Sequence, residues 1–85
     1  MKAVLITPDG ELASLEPKNK INFTLAEAQK AVGGDIKILN IGPDRIMVLD
    51  EEGRLKNLPP NPRASKIAGR YIVGTVFTCH TDMIR

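Results

Sequence analysis

The chain has 85 residues, a formal net charge of +2 with acids and bases interspersed, one cysteine, one histidine and three aromatic side chains. That length makes one small domain with a core built from Ile, Leu and Val. The weak, mixed charge excludes general duplex nucleic-acid binding, one Cys excludes an intrachain disulfide and one Cys with one His excludes a standard zinc site, and no run approaches the roughly 18 apolar residues of a membrane span.

In chain order, residues 2–7 read as a strand. Their four consecutive apolar residues predict burial on both faces, hence a central position or an oligomer contact. So short an apolar run is a strand and not a signal peptide, so a cytoplasmic protein is expected. Pro8-Asp9-Gly10 is a turn, with Pro presetting φ, Asp supporting the bend and Gly taking the left-handed slot. Residues 11–15 return antiparallel, with a bulge or early end expected because Leu12 and Leu15 do not alternate. Residues 16–22 are polar and irregular. Thr24 caps a helix, Glu27 completes a capping box and Phe23 staples onto Ala28. Leu25, Ala28, Gln29 and Val32 share a face by helical spacing. Gly33 stops the helix, so the Gly33-Gly34 pair reads as a C-cap and not a phosphate loop.

Residues 35–41 form the next strand, with Ile36 and Ile38 on one face and Asn40 marking its end. A hairpin at 42–45 leads into the apolar run 46–49. The acidic turn Asp50-Glu51-Glu52-Gly53 is expected to close on a left-handed Gly53, and Arg54 to Leu58 to leave it extended. Pro59 and Pro60 forbid a central strand there. Asn61 is a strong N-cap and Pro62 a favoured first helical residue. A short helix therefore runs from Pro62 to Ala68, with ridge Ala64, Ile67 and Ala68, and Gly69 stops it. Residues 71–79 form the last strand, with Gly74 permitting a close approach. Met83 and Ile84, in the tail, are expected to pack on a neighbour. The fold class is α+β, ordered β-β-α-β-β-(short α)-β, a mainly antiparallel sheet of about five strands with one main helix on a face.

Residues 50–69 concentrate the charges, amides and chain punctuation. Arg63 lies in the first turn of the short helix, where a cation costs a few tenths of a kcal/mol unless an anion is nearby. It is either a solvated charge packed over Pro60 or part of an anion site with Asn61, the free helix N–H groups and Lys56. The candidate ligand-binding residues are Lys56, Asn57, Asn61, Arg63, Ser65, Arg70 and Tyr71. Tyr71 either stacks on a base or is a buried strand residue. Asp50, Glu51 and Glu52 are solvated acids or, less simply, a cation site. Cys79 and His80 are adjacent on a strand and point to opposite faces, which makes a poor dyad and leaves a core thiol and an edge imidazole. No catalytic residue, cofactor or metal is expected. A phosphodiesterase using the acidic turn and His80 would lack a paired base and a metal set.

Val32-Gly33-Gly34, Asp50-Glu51-Glu52-Gly53, Leu55-Lys56, Leu58-Pro59, Asn61, Ala64-Ser65 and Ile72-Val73-Gly74 together resemble an uncharacterised family of small domains found in bacteriophages and in mobile regions of bacterial genomes. Thr75 departs from that pattern, which often has Asp there. The resemblance implies a phage setting, in the cytoplasm of a bacterial host. Small phage accessory proteins often counter host defence, some as oligomeric sponges for nucleotide signals. Two expectations follow: a homo-oligomer that sequesters a nucleotide-like anion, or a protein-interaction module that inhibits a host defence enzyme through the 50–60 arm and an exposed edge strand.

Overall fold

The computed structural model describes residues 3–84. Its elements are β1 (Ala3–Ile6), β2 (Leu12–Leu15), α1 (Leu25–Val32), β3 (Ile36–Gly42), β4 (Arg45–Asp50), α2 (Pro62–Ala68) and β5 (Val76–His80), followed by a 3₁₀ turn over Thr81–Met83. The five strands make one sheet in the order β2-β1-β5-β4-β3, and every neighbouring pair is antiparallel. The α+β order predicted from the sequence is the one observed.

Period-two alternation sorts the central strands onto two cores. Ala3, Ile46, Val48, Phe77 and Cys79 meet Ala28 and Val32 of α1, with Phe23 and Met83 closing the layer. Phe23 and Phe77 pack with centroids 4.9 Å apart. Ile6, Met47 and Val76 meet Ala64 of α2 and Ile72 on the opposite face. The short helix therefore covers the face that the main helix leaves open. That is why β1 and residues 46–49 of β4 are unbroken apolar runs: both of their faces are covered.

Local signals explain the helices. The capping box of α1 forms as expected, with Glu27 N–H donating to Thr24 Oγ1 at 3.2 Å and Thr24 N–H to Glu27 Oε1 at 2.9 Å. These backbone donors, that of Thr24 foremost and then that of Lys18, hold the Glu27 carboxyl below its ordinary range. Leu25 is 60% exposed, because the buried stripe of α1 is Ala28 and Val32 one turn apart. Gln29 turns to Asp35 instead, at 3.3 Å.

Four expectations are corrected. β2 pairs with β1 in unbroken register; the irregularity lies in β3, between Asn40 and Gly42, so Asn40 does not end its strand. Ile36 and Ile38 do share the α1-side face, as expected: Ile36 packs on that core, and Ile38, opposite Val48, is exposed. The last strand begins at Val76, not at Tyr71, because residues 72–74 pair instead with 59–61: Asn61 N–H donates to the Ile72 carbonyl and Gly74 N–H to the Pro59 carbonyl. Prolines lack donors but keep acceptors, so the Pro-Pro segment is bound through the Pro59 carbonyl. Met83 is buried in the chain's own core and Ile84 packs against that core, with Phe23 N–H donating to the Met83 carbonyl, so the tail packs within the chain.

Candidate functional site

Asn61 anchors α2 from inside the protein. Its Oδ1 accepts from Ala64 N–H at 3.1 Å. Its Nδ2 donates to the Ile6 carbonyl at 3.1 Å and the Gly74 carbonyl at 2.8 Å. The residue is fully buried, at 0% exposure. Ser65 Oγ is equally committed: it donates to the Asn61 carbonyl at 2.8 Å and accepts from Ile72 N–H at 2.8 Å. The Asn-Pro signal set the helix start, and the same asparagine joins α2, β1 and the 72–74 arm.

Residues 51–57 do not extend away from β4. They coil into a compact turn, with Lys56 N–H bonding to the Glu52 carbonyl at 3.0 Å and Leu58 N–H to that of Gly53 at 3.1 Å. The left-handed residue is Asn57, at φ 56°, and not Gly53. Gly53 is small for another reason: a Cβ there would lie 2.9 Å from Val73 Cγ2. Lys56 fastens the turn. Its Nζ sits 2.8 Å from Asp50 Oδ2 and 3.2 Å from the Gly33 carbonyl at the end of α1. A side chain at Gly34 would collide with that ammonium. Burial pushes the Asp50 carboxyl up, but the Lys56 hydrogen bond, Glu52 N–H and the Lys56 charge outweigh it and leave its pKa lowered. The Asp50 hydrogen bond in turn raises the Lys56 pKa.

Coiling brings Arg54 and Leu55 back over the sheet. With Lys37 and Leu39 of β3, Leu49 of β4 and the segment Arg70 to Val73, they line a cleft of about 290 Å³. Leu39, Leu49 and Ile72 belong to the α2-side core and supply apolar surface. Arg54 lies over the Tyr71 ring, 5.3 Å from its centroid, a cation–π geometry. Tyr71 is 56% exposed, so it is a surface platform and not a buried strand residue. Asp50 and Glu51 also line the cleft, but the Asp50 charge is already answered by Lys56. Three cations, Lys37, Arg54 and Arg70, then face one uncompensated carboxylate, Glu51.

A family model described as a domain of unknown function, DUF3846, matches residues 1–83. The chain belongs to that family. No curated protein and no solved structure matches the DUF3846 chain.

Of the residues predicted from the sequence to bind a ligand, this DUF3846 domain brings Arg70 and Tyr71 together in the cleft. Lys56 is tied to Asp50, and Asn57 is an exposed turn residue. Asn61 and Ser65 spend their polar atoms on the fold, which takes them off the ligand surface. Arg63 lies on a separate shallow surface with Lys66 and the Pro8–Gly10 turn, sharing no residue with the cleft. Lys37 and Arg54 were missed. Lys37 reads as an ordinary polar strand residue, and nothing local aims Arg54 at Tyr71.

Elsewhere, Cys79 is buried and burial pushes its thiol up to about 11. His80 Nδ1 accepts from Asp82 N–H at 3.1 Å and caps the 3₁₀ turn. Among the described residues, no group of three or more His, Cys, Asp and Glu is placed to hold a metal ion, and no helix is long and apolar enough to cross a membrane.

Proposed function

We propose that this DUF3846 domain is a non-catalytic binding module that sequesters a nucleotide-like anion in the Lys37–Arg54–Arg70–Tyr71 cleft. The observation that carries the reading is three cations beside an exposed aromatic ring over apolar surface. A phosphate needs the cations and a base needs the ring. The sequence resemblance to phage and mobile-element domains gives the setting: a protein of the bacterial host cytoplasm that removes a nucleotide immune signal. Strands β2 and β3 end the sheet with unpaired outer backbone rows, a ready means of forming the expected homo-oligomer.

The test is to denature the purified protein, identify released small molecules by mass spectrometry, and weigh the intact protein by native mass spectrometry. A stoichiometric nucleotide that is lost on Arg70→Ala, with the fold retained, supports the reading. A ligand lost on Arg63→Ala but kept on Arg70→Ala would move the site to the other surface and overturn it.

A second reading is favoured by one observation: Leu55 is 82% exposed on the cleft rim, close to arginine and tyrosine side chains of the kind that dominate protein contacts. On that reading the same surface inhibits a host defence enzyme. Pull-down of one host protein, lost on Leu55→Asp, would support it.

A further inference from the structure

We infer that the cleft selects a nucleoside carrying a terminal phosphomonoester over cyclic nucleotides. The inference rests on the anion-binding reading above and narrows its ligand class.

Charge is the first argument. Among the described residues lining the cleft, Lys37, Arg54 and Arg70 are opposed only by Glu51, since Lys56 already neutralises Asp50. The excess is two positive charges. A phosphomonoester carries about −1.5 to −2 at neutral pH, which matches that excess. A 3′,5′-cyclic mononucleotide carries one charge and leaves a cation unanswered; a cyclic dinucleotide carries two, and size decides against it.

Size is the second argument. A cleft of about 290 Å³ lies at the small end of the roughly 300–1,000 Å³ of ligand sites. It suits one nucleoside unit, and a cyclic dinucleotide would overfill it. Arg54 lies over the Tyr71 ring, 5.3 Å from its centroid, and the exposed ring offers a face on which one base can lie. Glu51 is the residue whose charge opposes a dianion most. It therefore sets how strongly the site distinguishes two charges from one.

The test is calorimetric titration of the full chain with the four nucleoside 5′-monophosphates, 3′,5′-cyclic AMP and GMP, a cyclic dinucleotide, adenosine and inorganic phosphate. At least one monophosphate should bind about tenfold or more tightly than its cyclic form, adenosine or phosphate. Glu51→Gln should tighten the monophosphate about two- to fivefold and the cyclic form less. Arg70→Ala should weaken it about tenfold or more, with circular dichroism confirming the fold. Equal or tighter binding of a cyclic nucleotide would overturn this inference and leave the anion reading standing. No binding of any nucleotide by folded protein would overturn both.

Discussion

Replacing Asn61 with alanine removes three hydrogen bonds in a site with no access to water. The lost cap on α2 costs about 1 kcal/mol. The carbonyls of Ile6 and Gly74 lose a donor inside the protein, and one newly orphaned acceptor costs about 1–3 kcal/mol. The sum is about 2–4 kcal/mol, against a total stability of about 4–13 kcal/mol for a domain of this length. That lowers Tm by about 8–30 °C. Asn61→Ser keeps an oxygen for the Ala64 N–H but not the two donations, so it should fall between wild type and alanine. Urea unfolding followed by far-ultraviolet circular dichroism measures both. A loss below about 1 kcal/mol for Asn61→Ala would refute the assignment of Asn61 as the internal anchor of α2.

Three further outcomes are expected. Gly74 has φ 78° and a Cβ there would lie 2.7 Å from Leu58 Cδ1, so Gly74→Ala should cost about 2 kcal/mol in the same urea assay; a neutral substitution would contradict that packing. Asp50 has its folded-state pKa depressed below 3.8, so its contribution is fully present above that value and is lost as pH falls through the folded pKa. Urea midpoints at descending pH should therefore drop more steeply below about pH 4 for wild type than for Asp50→Asn, and parallel curves would remove the ion pair from the account. Cys79, with its thiol pushed up to about 11 by burial, should resist iodoacetamide at about pH 8 until urea unfolds the chain, whereas fast labelling of the native protein would show that the thiol is open to solvent.

The fold was legible where short-range chemistry decides conformation. Thr24 with Glu27, Asn61 with Pro62, and the two-residue hairpin loop at Pro43-Asp44 each carry their signal within a few residues. The site was legible only in part. Arg70 and Tyr71 follow directly on α2, so their neighbourhood could be read. The turn at 51–57 could not, because what holds it is distant: Lys56 reaches the Gly33 carbonyl, 23 positions away in sequence. Asn61 and Ser65 were read as ligand-binding residues, since their place at the start of α2 is local but the carbonyls of Ile6 and Gly74 and the N–H of Ile72 that they satisfy belong to other segments. A polar residue beside prolines looks the same from sequence whether it faces water or holds the interior together.

The place of β5 in the sheet has a consequence for how the chain is made. In the sheet the first hairpin, β1–β2, is joined to the second, β3–β4, only through β5, which lies between β1 and β4. During synthesis both hairpins leave the ribosome before the strand that joins them. Until residue 80 emerges, each hairpin has an apolar face and an open edge with nothing native to pair with. Joining β1 to β5 closes a loop of nearly the whole described chain, which makes folding slow relative to a helical domain of the same length. Truncation before β5 should therefore yield a chain that aggregates or is degraded, because no smaller part of the sheet is complete.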